Sequence, residues 1–276
     1  GLPSMGVYMS RTSLAQTYMN LQLIWEPYRN PEVLKLLDPE KNILLLVNSN
    51  NSIIPKPQQN IVDKADTVLI GSGFNLFSIS VDTLSSIFQN LYQKEYENFR
   101  ALSLYDHGLF YSTNSKIDYI NEDFSCLENS ASYVTGGSRS QRFRPKHVFF
   151  DATISNDSLN QEYILSFWLK DFNKDLMPRS QLVIELTDSS GKTYDYQSNS
   201  IFKLITTFDS DWALIEQSFI VQHSKSQIKF WLRNYELRRN DYTISNVLIR
   251  PVNTTIYRNE GDWLMRNNRF YFKSIE

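Results

Sequence analysis

Residues 162–170 read EYILSFWLK, and residues 227–233 echo them as QIKFWLR. Both contain the order apolar, any residue, Phe, Trp, Leu, basic. Successive side chains of an extended strand alternate faces, so Leu165, Phe167 and Leu169 share one face and Ser166, Trp168 and Lys170 the other. In the echo, Ile228, Phe230 and Leu232 share one face, with Lys229, Trp231 and Arg233 opposite. One face of each strand reads as core. The other carries a tryptophan beside a cation.

Outward from these strands the same period continues. Candidate strands are 146–154, 180–188, 192–197, 200–207, 212–222 and 241–250, punctuated by turn signals of which Ser189-Ser190-Gly191 is the clearest. This predicts an antiparallel sandwich. Pro251 closes the last strand, and a polar, Asn- and Arg-rich tail follows.

Before residue 112 the period changes. Residues 12–37 read as helical, with Leu14, Tyr18, Leu21 and Trp25 at three- and four-residue spacing, interrupted at Pro27 and restarting at Asn30-Pro31-Glu32. Asn42–Val47 (NILLLV) and Thr67–Ile70 read as short strands covered on both faces, and the polar stretch 48–60, with Pro55 and Pro57, as a loop. Leu84, Ile87, Phe88, Leu91 and Tyr92 mark an amphipathic helix over 82–99 capped by Asp82. Asp106-His107-Gly108 reads as a hairpin turn. The fold class expected is therefore α+β in two units: a small α/β unit over 1–115, then an antiparallel jelly-roll β-sandwich over 116–276 that includes the polar tail.

Composition narrows the function classes. Of 276 residues 41% are hydrophobic and 21% charged, as in ordinary globular proteins, while the 14% aromatic share suits sheets and sugar-facing surfaces. A net charge of −2 gives no electrostatic case for nucleic acid. The sole cysteine, Cys126, rules out an intrachain disulfide and a multi-cysteine metal site. No apolar run reaches the roughly 18–20 residues that span a bilayer, and no signal peptide is visible. The Gly-Leu-Pro start reads as a cut from a longer protein.

From Tyr163 to Pro251 the chain resembles jelly-roll sandwiches of the carbohydrate-binding-module and galactose-binding-like kind. The features that carry the resemblance are YILSFWLK, the LVIELTD-x-x-G hairpin, Asp211-Trp212 before LIEQSFIV, IKFWLRN and YTISNVLIRP. It implies that strands 162–170 and 226–234 are neighbours in one sheet, bringing Trp168 and Trp231 together. Many such modules carry an Asp near a structural calcium where this chain has Ser245, so no metal site is expected. The two-part order also resembles extracytoplasmic regions of bacterial polytopic membrane proteins, glycosyltransferase-like ones included.

The expected site is the face shared by Trp168, Trp231 and Arg233, rimmed by Lys170 and Glu185. Indole faces would stack on sugar rings while the charged groups hydrogen-bond hydroxyls. The competing reading has this face packed under the N-terminal unit or loops, the ordinary fate of such faces in multi-unit chains. No cofactor and no catalytic residue is expected. His107, His147 and His223 lack metal-ligand spacing, Gly71-Ser72-Gly73 lacks the rest of a phosphate loop, and Asp209 with Asp211, Glu122 with Asp123, and Cys126 read as turn, cap and core residues. Arg139, Arg142, Arg144 and Lys146 read as a solvated basic linker. The function expected is a non-catalytic carbohydrate-binding-like module of the bacterial cell envelope, extracytoplasmic, with a glycan as partner. The alternative is the soluble part of a membrane-embedded enzyme such as a glycosyltransferase, tethered through segments outside these residues.

Overall fold

The computed structural model describes residues 32–48, 56–102, 110–112, 120–122, 138–142, 147–155, 160–170, 180–209, 212–234, 241–260 and 263–272. A 3-10 turn, Glu32–Leu36, is followed by β1 (Asn42–Asn48), α1 (Lys56–Val62), β2 (Asp66–Ile70), β3 (Phe74–Ser80) and α2 (Val81–Arg100). Then come β4 (Phe110–Ser112), β5 (Ile120–Glu122), β6 (Ser138–Arg142), β7 (His147–Ser155), β8 (Gln161–Lys170), β9 (Ser180–Thr187) and β10 (Thr193–Ser200). A second 3-10 turn, Ile201–Leu204, leads into β11 (Ile205–Asp209), β12 (Trp212–Val221), β13 (Lys225–Asn234) and β14 (Asp241–Pro251). The last strands are β15 (Ile256–Glu260), β16 (Trp263–Arg266) and β17 (Arg269–Phe272). The chain divides into two compact units, Gly1–Ser112 with Ile256–Glu276, and Thr113–Thr255.

The first unit is a small α/β unit. β1 and β2 flank β3 in an antiparallel sheet of order β1-β3-β2. Ile79, with Ile43 and Leu45 partly buried, packs on the first half of α2 through Val81, Leu84, Ile87 and Phe88, and Val33, Leu34 and Ile61 join the same cluster. Three expectations need correction. Residues 56–62 are helical, because Pro57 sits in a first turn where its missing N–H is harmless. α2 is capped by Ser80, whose Oγ accepts from the Thr83 amide at 3.0 Å, while Asp82 lies in the first turn, where a negative charge suits the helix dipole. β1 and β2 are not covered on both faces: β1 alternates between part-buried and exposed residues, and all of β2 is exposed.

Gly71-Ser72-Gly73 closes the β2–β3 hairpin, the Gly71 amide donating to the Phe74 carbonyl at 2.9 Å. A Cβ at Gly71 would meet that oxygen at 2.8 Å, so the glycine serves a tight turn rather than a phosphate loop. Of the helical reading over 12–37, residues 12–31 lie outside the described residues and Glu32–Leu36 is the 3-10 turn; the turn at Asp106–Gly108 and Cys126 also lie outside the described residues.

The C-terminal segment does not trail from the sandwich as a polar tail. β15, β16 and β17 form a sheet of order β17-β16-β15-β4 and belong to the first unit. The reason is apolar content hidden among the polar residues: Tyr257, Leu264 and Tyr271 pack with Tyr92 and Phe99 from the second half of α2. Glu95, buried on the same helix, accepts from the Tyr257 hydroxyl at 3.0 Å and from Arg266 Nη1 at 2.8 Å.

Burial, with the Glu95 carboxylate adding to it, pushes the Tyr257 and Tyr271 phenols well above their ordinary value. Because the unfolded chain ionises first, this contribution is intact below about pH 10 and is lost as pH rises past it. We expect the unfolding midpoint to fall as pH rises from about 10 to about 12, and Tyr257→Phe to make that fall shallower. A Tyr257→Phe profile parallel to wild type would contradict the assignment.

The second unit is an antiparallel sandwich of two sheets, β10-β9-β13-β7 and β11-β12-β8-β14-β5, with β6 also on β14. Consecutive strands β7, β8 and β9 alternate between the sheets, as do β12, β13 and β14, which is jelly-roll winding. Leu165, Phe167 and Leu169 on one sheet, and Ile228, Phe230 and Leu232 on the other, are all buried. Phe219 meets Phe230 across the sheets at a ring separation of 5.8 Å. Among the described residues no helix is long and apolar enough to cross a membrane.

Candidate functional site on the four-stranded sheet

The two tryptophans do not form one platform. Trp168 lies on β8 of one sheet and Trp231 on β13 of the other, so sharing a motif gave them no common surface. Both are sealed, Trp168 at 0% and Trp231 at 2% exposure. Trp168 pairs in register with Leu214 and Ser245. Lys170 stays on that sheet, its Nζ 5.8 Å from the Trp212 ring centroid. Ser245 is buried beside an irregularity in β14, where Asn246 takes φ 51°. No cluster of metal-ligating side chains occurs among the described residues.

Trp231, Arg233 and Glu185, in contrast, are brought to one face of the four-stranded sheet. On β13 they alternate with the core residues Phe230 and Leu232, and on β9 Glu185 alternates with Ile184 and Leu186. The register sets Trp231 opposite Val183, Arg233 opposite Gln181 and Lys229 opposite Glu185. β10 adds the residue that motif reading passed over. Tyr196 is paired with Glu185, so Tyr196, Glu185, Lys229 and Asp151 form one row across all four strands.

Two local devices put Tyr196 there. The β9–β10 hairpin is held by Asp188, whose Oδ1 accepts from the Ser190 amide (2.9 Å), the Ser190 hydroxyl (2.6 Å) and the Lys192 amide (3.0 Å). These bonds, the Ser190 hydroxyl foremost, hold the Asp188 carboxyl below its usual range. Gly191 completes the turn at φ 82°, a conformation side chains rarely adopt. An irregularity between Thr193 and Asp195 then shifts the phase of β10, so Tyr196 rather than Asp195 falls on the outer face.

Among the described residues of this unit Tyr196 is the exposed aromatic, at 47%. Its hydroxyl accepts a short hydrogen bond from Arg233 Nη2, and its ring meets Trp231 edge-on with centroids 6.0 Å apart. Since Arg233 is two strands away, the side chain has to reach across β9 at the level of Val183. The ring is thus held at its hydroxyl and beside Trp231 while about half of the residue meets solvent. Around it the polar groups are tied down: Ser198 Oγ donates to Gln181 Oε1 (2.6 Å) and Thr193 Oγ1 to Glu185 Oε1 (3.0 Å). Gln227 Nε2 donates to Asp151 Oδ1 at 2.8 Å, and Lys229 sits 3.8 Å from the same carboxylate. The result is a fixed aromatic plate among hydrogen-bonding groups of both polarities.

The other sequence candidates do not converge on it. His223 is exposed in the turn before β13, its ring 4.6 Å from that of Tyr194. The side chains of His147, Arg139, Arg142, Glu122 and Asp209, and all of His107, Asp123, Arg144, Lys146 and Asp211, lie outside the described residues.

No protein-family model matches the chain, and no curated protein matches it. Solved structures that do match include carbohydrate-binding modules. The xylan-binding CBM22-1 domain of Paenibacillus barcinonensis Xyn10C is 13% identical, with 49% of this chain and 95% of that one covered and a TM-score of 0.28. The CBM6cm-2 module of Cellvibrio mixtus lichenase 5A, in complex with cellotriose, is 9% identical over 48% of this chain and 95% of that one, at a TM-score of 0.28. The bacteriophage CBA120 tailspike protein 4 enzymatically active domain is 15% identical over 52% of this chain, which spans only 19% of it, at 0.27.

Proposed function

We propose that the sandwich is a non-catalytic carbohydrate-binding module whose ligand lies on the outer face of the four-stranded sheet. The observation that carries the reading is the Tyr196 ring, held at its hydroxyl by Arg233 and about half exposed to water. A sugar ring offers a C–H face for stacking and hydroxyls that both donate and accept. Tyr196 supplies the first contact, while Glu185, Lys229 and Asp151, in register beside it, supply the second. Affinity from one such plate is modest, because stacking has to offset the cost of association. An extracytoplasmic setting belongs to the same proposal.

A glycan array probed with wild type, followed by titration of its best hit, tests this. Tyr196→Ala is expected to weaken that hit by about tenfold or more, a loss of roughly 1.4 kcal/mol, with an unfolding midpoint close to wild type. Tyr196→Phe keeps the ring but frees it from Arg233, and should fall between the two. An array on which the wild type retains nothing, or a Tyr196→Ala protein that binds as wild type does, would sink the proposal.

A further inference from the structure

The row beside Tyr196 carries its charges in a fixed order. Glu185, Lys229 and Asp151 stand in register on β9, β13 and β7, so one ammonium lies between two carboxylates. Lys229 Nζ is 3.8 Å from Asp151 Oδ2, while Asp151 Oδ1 accepts from Gln227 Nε2 at 2.8 Å. Glu185 Oε1 accepts from the Thr193 hydroxyl at 3.0 Å. Arg233, the cation on the other side of the ring, donates to the Tyr196 hydroxyl. The neighbouring row of the same face runs Thr193, Thr187, Gln227, Thr153 and bears no charge. Across both rows the carboxylates therefore outnumber the ammonium, and the ammonium already has one of them beside it.

We propose that this face selects neutral over acidic glycans, and that Asp151 enforces the choice by holding Lys229. The inference rests on the carbohydrate reading above and adds a ligand class to it. An ionised carboxylate only accepts hydrogen bonds. Hydroxyls of a neutral sugar can donate to Glu185 and Asp151, and hydrogen bonds to charged acceptors are the stronger kind. A uronate group brings acceptors alone, so within this row its one favourable contact is Lys229. There it would lie against the Asp151 carboxylate, with Glu185 in register on the other side. Like charges placed together in this way are how a surface rejects a wrong partner. The pair is accessible to a ligand, since the side chains of Lys229 and Asp151 keep 34% and 45% exposure. At that exposure salt screens the repulsion, which gives the effect a second signature.

Paired ligands titrated into the full chain test this: neutral gluco- and galacto-oligosaccharides, each beside its uronate counterpart of the same length. In low salt the wild type is expected to bind the neutral member at least about tenfold more tightly. The ratio should shrink as salt rises to about 1 M, where the screening length is about 3 Å. Asp151→Asn keeps the side-chain shape and the acceptor for Gln227 but not the charge, and should lower the low-salt ratio about tenfold. Adding Lys229→Gln to Asp151→Asn should abolish the uronate binding so gained. Glu185→Gln repeats the measurement from the other side of Lys229 if Asp151→Asn impairs folding. A wild type that binds the uronate member equally or better overturns the inference, while the effect of Tyr196→Ala still decides the carbohydrate reading. An Asp151→Asn ratio equal to that of wild type overturns it as well. Retention of neither member overturns both, and so is distinguishable from a failure of the selectivity alone.

Discussion

Trp168→Ala is expected to cost the sandwich about 3–5 kcal/mol, the range for deleting a buried aromatic side chain. Read from sequence, Trp168 is half of a stacking platform, and its replacement abolishes glycan retention while leaving a folded, if weakened, sandwich. Its 0% exposure reverses that expectation. The indole lies between Leu214 on β12 and Ser245 on β14, in the middle of the longer sheet, where removal leaves a cavity that paired strands cannot collapse to fill. Urea unfolding checks it directly, since the midpoint should drop with the slope unchanged. Any loss of glycan retention in Trp168→Ala should then track the unfolded fraction. Tyr196→Ala is the contrast, because a surface ring contributes within about 0.5 kcal/mol to stability unless it has a special role. If Trp168→Ala is as stable as wild type and binds no glycan, while Tyr196→Ala binds normally, the site has been placed on the wrong sheet.

Glu95→Ala should have the next largest effect, about 2–4 kcal/mol, and on the first unit. The carboxylate is buried at the point where α2 meets the C-terminal strands, and it holds both Tyr257 and Arg266. Without it a buried phenol loses its acceptor and a guanidinium loses its counter-charge. The figure sits below that for a fully buried pair because the Arg266 side chain keeps 34% exposure, and water replaces part of the lost interaction. Glu95→Gln should lose less, since an amide oxygen still accepts from Tyr257. The helical far-UV signal follows this unit, because both described helices belong to it. A change below about 0.5 kcal/mol in Glu95→Ala would show that apolar packing alone docks these strands.

The two substitutions also show where sequence and tertiary structure divide the work. Alternation along EYILSFWLK and QIKFWLR fixed which residues share a face, and Leu165, Phe167, Ile228 and Phe230 are core as that alternation requires. Period and turn chemistry likewise determined the sandwich strands, the β9–β10 hairpin at Ser189-Ser190-Gly191 and the amphipathic stripe of α2, because each depends on neighbours within a few residues. Sheet membership does not. Jelly-roll winding sends β8 and β13 to opposite sheets, and nothing within either strand records that, so Trp168 and Trp231 were read as neighbours. The face of Tyr196 was hidden for a local reason: a one-residue irregularity after Thr193 inverts the alternation of TYDYQSNS. Arg233 and Glu185 were legible as polar residues on an outer face, but their company was not, since cross-strand register joins positions far apart in the chain. The last strands read as a polar tail because runs of 5, 4 and 4 residues are too short for alternation to show between their Asn and Arg residues; only the apolar flank of α2 shows what Tyr257, Leu264 and Tyr271 cover. Local periodicity is set by backbone geometry and can be read directly, whereas long-range pairing is chosen by which apolar faces meet, and that choice exists only in the folded chain.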